Sequence, residues 1–315
     1  MILIRGLEGL KEKYRDVILT IGNFDGVHRG HQKIFSSVVE RARDVNGTAM
    51  AITFEPHPVR VLFPERGLRV LSSFEEKSRL MEHFGIDVLL CITFTKEFAN
   101  TEPDDFLREV ITEKIGAREV VVGHNYSFGK GKRGTPEILR RRGKKYGFSV
   151  KVVRSARLCG DVVSSSRVRS LLGRGRVCEA SWFLGRPYMI EGKVIPGAGR
   201  GGRLLNVPTA NIATGNDLVP REGVYAVKVG YEGALLDGVA NIGKNPTFGN
   251  AEMSYEIHIF DFSERILGRV LRVHFIDRIR DEKTFPDIPT LKASIMKDIE
   301  RARIILRTGK HPRVI

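Results

Sequence analysis

The stretch "VILTIGNFDGVHRGHQKIFSSVVERARD", residues 17–44, decides the fold class. An apolar run ends in a glycine-bearing polar turn, and the turn opens into a helical pattern. Further apolar, β-rich runs follow at 49–54, 87–94, 119–123 and 149–154. Between them lie amphipathic helical patterns near 30–44, 73–84, 103–115 and 136–146. Thr135-Pro136-Glu137 supplies a helix start: a hydroxyl cap, a proline in the first turn and an acid at the positive end. Strands alternating with helices predict βαβ units, hence a doubly wound, Rossmann-like parallel sheet covered on both faces. A helical stretch over roughly 165–184 closes this half.

From Tyr188 the pattern changes. Short strand-like segments, "MIEGKVI", "GVYAVKV", "ALLDGVANI", "SYEIHIFDF" and "VLRVHFI", are punctuated by Gly, Pro and Asn. They predict a small antiparallel β-barrel, with "IPTLKASIMKDIERARIIL" as a terminal helix. The expected fold class is therefore α/β followed by β, with domains at 1–184 and 185–315 and a boundary near "LGRPY". A length of 315 residues agrees with two domains.

Composition narrows the class. Apolar residues make up 42% and charged residues 28%, as in ordinary globular proteins. Apolar runs such as "VLLC" are too short to span a bilayer, and charge interrupts the N-terminus too early for a signal peptide. The scattered Cys91, Cys159 and Cys178 suggest reduced thiols in the cytoplasm, with no disulfide framework or zinc site. The net charge of +15 favours anionic partners, either nucleic acid or phosphorylated small molecules. Runs such as "LRRRGKK" at 139–145 read rather as solvated surface, and no nucleic-acid-binding motif accompanies them.

Ligands of open parallel sheets bind beyond the carboxyl ends of the strands. "GNFDGVHRGH", "EPHP" and "GHNYSFGKGKRG" fall at such ends. His28 and His31 share one face at a helix entry, where free N–H groups and the helix dipole favour anions. Two imidazole donors there would bind triphosphate oxygens and stabilise charge at the α-phosphorus. Gly22, Gly26 and Gly30 let the backbone come close. Alone, H-x-G-H fits a capped, solvated helix end just as well. A second cluster, "SSSRVRSLL" at 164–172, sets Ser164, Ser165 and Ser166 ahead of Arg169 at another helix start. The hydroxyls would cap the helix or meet phosphate, and Arg169 would neutralise a leaving pyrophosphate.

The two clusters together resemble the nucleotidyltransferase superfamily. The ordered set "IGNFDGVHRGHQ", "TFEPHP", "GHNYSFG", "SSSRVR" and "LGRPY" is similar, over essentially the whole chain, to the bacterial bifunctional riboflavin kinase/FMN adenylyltransferase family, the FAD synthetases. The resemblance implies an N-terminal FMN adenylyltransferase domain. Its ATP would be held by Gly22, Asn23, Phe24, Asp25, His28, Gly30, His31 and the "SSSRVR" segment, with His57 and Asn125 toward FMN. Ser166 stands where the family usually has threonine, which keeps the hydroxyl.

The C-terminal domain opens with "GKVIPGAGRGGRLLNVPTANI", residues 192–212, which contains no Walker-type loop. By resemblance it is the riboflavin kinase signature. Gly197, Gly199, Arg203 and Pro208 would cradle ATP, and Thr209 and Asn211 would hold Mg²⁺ and phosphates. Glu256 of "SYEIHIFDF" would be the catalytic base that takes the proton of riboflavin's 5′-hydroxyl. The family usually carries glycine and a bulkier apolar residue before "PTAN"; here they are Asn206 and Val207. The implied reaction sequence phosphorylates riboflavin to FMN and then adenylylates FMN to FAD. The expected partners are ATP, riboflavin and FMN, with no nucleic acid or membrane, and the expected state is a monomer or weak oligomer. Two rivals stand beside this reading: an adenylyltransferase with an impaired kinase domain, and an RNA-binding or regulatory protein on the same scaffold.

Overall fold

The computed structural model describes residues 1–197, 207–244, 253–309 and 311–315. Packing divides the chain into two compact units, Met1–Ser165 and Ser166–Ile315.

The first unit is built on a six-stranded parallel sheet of β1 (Ile2–Arg5), β2 (Val17–Ile21), β3 (Ala49–Glu55), β4 (Val88–Thr93), β5 (Ala117–Gly123) and β6 (Ser149–Val153). The strand order is β1-β4-β3-β2-β5-β6. From β2 the chain winds outward through β3 and β4, then returns to the other side of β2 for β5 and β6. The order reverses between β2 and β5, and a crevice at that point is where such sheets bind ligands. Every residue of β2 is buried. Val17, Leu19 and Ile21 enter one core with Met50, Ile52 and Val120, while Ile18 enters the opposite core with Phe35 and Val38 of α1 (Arg29–Asp44). Burial on both faces explains why β2 reads as an unbroken apolar run. Each such side chain contributes about 1.5–3 kcal/mol.

The basic run at 139–145 lies on α6 (Pro136–Tyr146), started by the Thr135 cap and Pro136 as expected. Gly143 within it faces the Phe148 carbonyl oxygen, which an added Cβ would approach to 2.6 Å. The helical stretch expected over 165–184 is two helices, α7 (Ser165–Gly173) and α8 (Val177–Leu184). Gly175 at φ +74° turns the chain between them, a conformation that breaks a helix and favours glycine. The strand β1 was not legible, because only its pairing with the distant β4, Ile2 against Val88, makes it one.

The second unit is a closed antiparallel barrel in the order β10-β13-β12-β11-β14-β9. Its strands are β9 (Tyr188–Ile195), β10 (Ala210–Thr214), β11 (Gly223–Tyr231), β12 (Ala234–Lys244), β13 (Met253–Ile259) and β14 (Val270–Arg280). β10 arises from "ANIAT", which sequence periodicity does not mark as a strand. The C-terminal helix, Ile288–Thr308, buries Ala302 and Leu306 against Val224, Ala226, Phe260 and Ile276.

His274 on β14 is buried, and desolvation, with Arg186 and Arg272 adding, lowers its pKa from 6.5 to about 4. The folded protein therefore keeps this ring neutral where the unfolded chain would protonate it. Its contribution is fully present above about pH 6.5 and is lost as pH falls toward 4, a total of about 3 kcal/mol. Chemical denaturation between pH 7 and 4 is expected to show this slope, and His274→Asn is expected to flatten it.

Candidate functional site

In the first unit, the loop after β2 runs through three left-handed residues, Phe24 (φ +49°), Gly26 (+76°) and Val27 (+40°). A β-branched residue in that region is strained, and the surroundings hold it there. Leu71 N–H donates to Asp25 Oδ1 at 2.8 Å and Gly26 N–H donates to Ser72 Oγ at 3.1 Å. Thr53 Oγ1 donates to the Asn23 carbonyl at 3.3 Å. Asp25 is buried, so its carboxylate anchors the loop rather than facing solvent.

This backbone delivers His28 to the N-cap of α1, where its Nδ1 accepts the His31 N–H at 3.3 Å. A neutral His28 ring consequently carries its proton on Nε2, the donor nitrogen of this tautomer. The two imidazoles stack, with centroids 3.6 Å apart and planes inclined by 17°. The edge of Phe24 meets His31 at 5.3 Å. Burial, with the His28 and Lys77 charges adding, holds His31 well below 6.5, so it is neutral at physiological pH. His31 Nδ1 is buried and, among the described residues, has no hydrogen-bond partner. A Cβ on Gly30 would come 3.0 Å from the His28 ring, and one on Gly22 3.0 Å from Phe24. Both glycines thus let the loop close on itself.

The other expected residues distribute as follows. Ser165 Oγ donates to the Asp25 carbonyl at 2.9 Å, which ties the "SSS" segment to the β2 loop. Ser164 precedes α7, and Ser166 and Arg169 lie within its first turns. His57 caps α2 (Pro58–Leu62) by accepting the Val59 N–H at 3.2 Å. Asn125 is exposed just beyond the carboxyl end of β5.

In the second unit, a cavity of about 620 Å³ is lined by Thr209, Asn241, Glu256 and His258 on its barrel side. Glu256 therefore faces the cavity, while its neighbour Ile257 is buried in the barrel. Cross-strand register sets Glu256 opposite Asn211 on one side and Asn241 on the other. His258 Nδ1 donates to the Pro208 carbonyl at 2.7 Å and pins the turn that carries Thr209. Gly197 passes so close to Asn211 that an added Cβ would lie 2.1 Å from its Nδ2. Val207 is buried and forms part of the cavity wall. Gly199, Arg203 and Asn206 lie outside the described residues.

The far wall was not legible. Phe285, Ile288 and Leu291 supply an apolar side, and Arg280 and Asp298 join the barrel to the C-terminal helix. Arg280 Nε and Nη2 donate to both carboxylate oxygens of Asp298 at 2.8–3.0 Å. Asp298→Ala would strand a largely buried guanidinium and is expected to cost about 3–5 kcal/mol, measurable by denaturation of the variant.

A glycine-bearing loop with stacked histidines at the switch point of a doubly wound sheet, together with a barrel cavity carrying a carboxylate and a threonine, is the arrangement expected of a nucleotidyltransferase fused to a β-barrel phosphotransferase. Residues 10–167 match the FAD synthetase family model and residues 184–306 the riboflavin kinase model. A Haemophilus influenzae bifunctional riboflavin kinase/FMN adenylyltransferase is 35% identical over 304 residues, covering 96% of this chain and 98% of the relative. The Escherichia coli K12 protein of the same name is 34% identical over 305 residues, covering 96% and 97%. The chain belongs to the bifunctional riboflavin kinase/FMN adenylyltransferase family. It phosphorylates riboflavin to FMN with ATP, and adenylylates FMN with ATP to give FAD and pyrophosphate.

A solved Streptococcus pneumoniae structure described as a macrolide-efflux protein is also similar, with TM-score 0.88 and 30% identity over 96% of this chain and 99% of that one. Among the described residues no helix is long and apolar enough to cross a membrane.

Proposed function

We propose that adenylyl transfer occurs at the β2–α1 loop and phosphoryl transfer in the barrel cavity. What supports this is the stacked His28–His31 pair at the sheet's switch point, and the convergence of Thr209 and Glu256 on one cavity. In the kinase, Glu256 takes the proton of riboflavin's 5′-hydroxyl as that oxygen bonds to the γ-phosphorus, and ADP departs. In the transferase, an FMN phosphate oxygen bonds to the α-phosphorus of ATP, the α–β bridging bond breaks, and pyrophosphate leaves. His28, His31, the α1 N-terminus and Arg169 bear the developing charge. The "SSS" hydroxyls, Asn23 and the loop glycines orient the phosphates, and His57 and Asn125 flank the FMN side.

A hard divalent cation such as Mg²⁺ suits the oxygen donors Thr209 and Asn211, and when bound it would neutralise triphosphate charge. Among the described residues no group of three or more His, Cys, Asp or Glu could hold a metal. Such a donor set fits an ion held chiefly by substrate phosphates. The functional boundary of this reading is 184/185, whereas packing divides the chain between Ser165 and Ser166. The chain works as a monomer or weak oligomer in the cytoplasm, a reducing compartment that its three free cysteines suit. Nucleic acid is not a partner, and the basic surface serves anionic substrates.

The test follows riboflavin, FMN and FAD chromatographically with ATP and Mg²⁺. Both products are expected, with a lag in FAD; untouched riboflavin alongside conversion of added FMN would point to an impaired kinase.

A further inference from the structure

Lys77, on α3 (Phe74–His83), is 6% exposed, a rare position for an ammonium. It reaches the Asn23 carbonyl at 3.4 Å, at the limit of a hydrogen bond, and Glu55 Oε2 at 3.9 Å. Its charge lies 5.6 Å from the Phe74 ring centroid. These weak contacts undersupply an ammonium that has given up its water. Burial lowers its pKa from 10.5, opposed by Glu55, Cys91 and Asp25, and its charge is felt at His31.

The loop beside it has an electrostatic deficit. His31 is neutral at physiological pH, and two imidazoles stacked at 3.6 Å resist simultaneous protonation. The positive field for a triphosphate then draws on the α1 N-terminus and on groups behind the loop. Lys77 lies behind it. Its helix and the residues just before it clamp the same loop through Leu71 to Asp25 and Ser72 to Gly26.

We propose that Lys77 is a positioning residue of adenylyl transfer, which fixes the Asn23 carbonyl and supplies buried positive charge that draws the triphosphate of ATP onto His28 and His31. The proposal rests on the assignment of this loop as the ATP site. In a low-dielectric setting a fixed charge acts through the loop without touching substrate.

The test compares Lys77→Met, Lys77→Gln and Lys77→Arg in the full chain, with thermal unfolding and kinase activity measured alongside. Met and Gln are expected to lower kcat/KM for FMN adenylylation roughly tenfold or more, chiefly through KM for ATP, while riboflavin phosphorylation stays unchanged. Arg, which keeps the charge, is expected to restore most of the loss. Wild-type activity in Gln would overturn the proposal, because the charge would be dispensable. Equal loss in all three with lowered stability, or failure of both Met and Gln to fold, would also overturn it by leaving only a structural role. His28→Ala is run in parallel. FAD formation surviving there would overturn the site assignment itself, whereas its loss beside an unaffected Lys77→Gln would overturn the Lys77 proposal alone.

Discussion

His28→Ala is expected to abolish FAD formation while FMN still accumulates from riboflavin. The ring caps α1 through Nδ1, and in the proposed mechanism Nε2–H donates to the phosphates, so alanine would remove both. Loss of the cap alone costs about 0.5–2 kcal/mol, which leaves most of the stability of a typical domain. The expected fall in adenylyl transfer, on the order of 10²–10³-fold, therefore reports lost charge stabilisation. His28→Asn separates the two roles, because asparagine is a good cap. It is expected to recover stability in thermal unfolding without recovering adenylyl transfer. The kinase serves as the control, since the barrel forms its own compact unit.

Glu256→Ala is expected to produce the opposite pattern. Riboflavin phosphorylation falls on the order of 10²–10⁴-fold, the span of a lost general base, while added FMN is still converted to FAD. Glu256→Gln preserves the shape and removes the base, so equal losses in the two variants would tie the effect to proton transfer. The carboxylate is half-buried, with Ser254 Oγ donating to it at 3.4 Å, so its removal strands no tightly paired group. A folded variant of either residue that loses both activities would contradict two independent sites.

Local signals announced much of this. Thr135-Pro136 started a helix because capping acts within one turn. The run "VILTI" read as an interior strand because both its faces are covered. The loop segments at strand ends were legible as a candidate crevice, since parallel sheets bind ligands at that end whatever the strand order. The order β1-β4-β3-β2-β5-β6 was hidden, as were β1 and β10, because strand pairing joins residues distant in sequence. Lys77 was invisible for the same reason: "FEEKSRL" reads as an exposed helical turn, and only its packing against Asn23 and Glu55 shows it buried.

The sequence by itself therefore determined the two-part architecture and, through ordered motifs, the pair of flavin-directed activities. Periodicity, capping and short motifs are properties of neighbouring residues. Tertiary structure decided which side chains share a site. It turned Glu256 into the cavity, lined that cavity also with Arg280 of β14 and Asp298 of the C-terminal helix, and tucked Asp25 inward as a loop anchor. It also stacked His28 on His31. Those outcomes follow from strand register and burial, which depend on residues far apart in the chain meeting at one place.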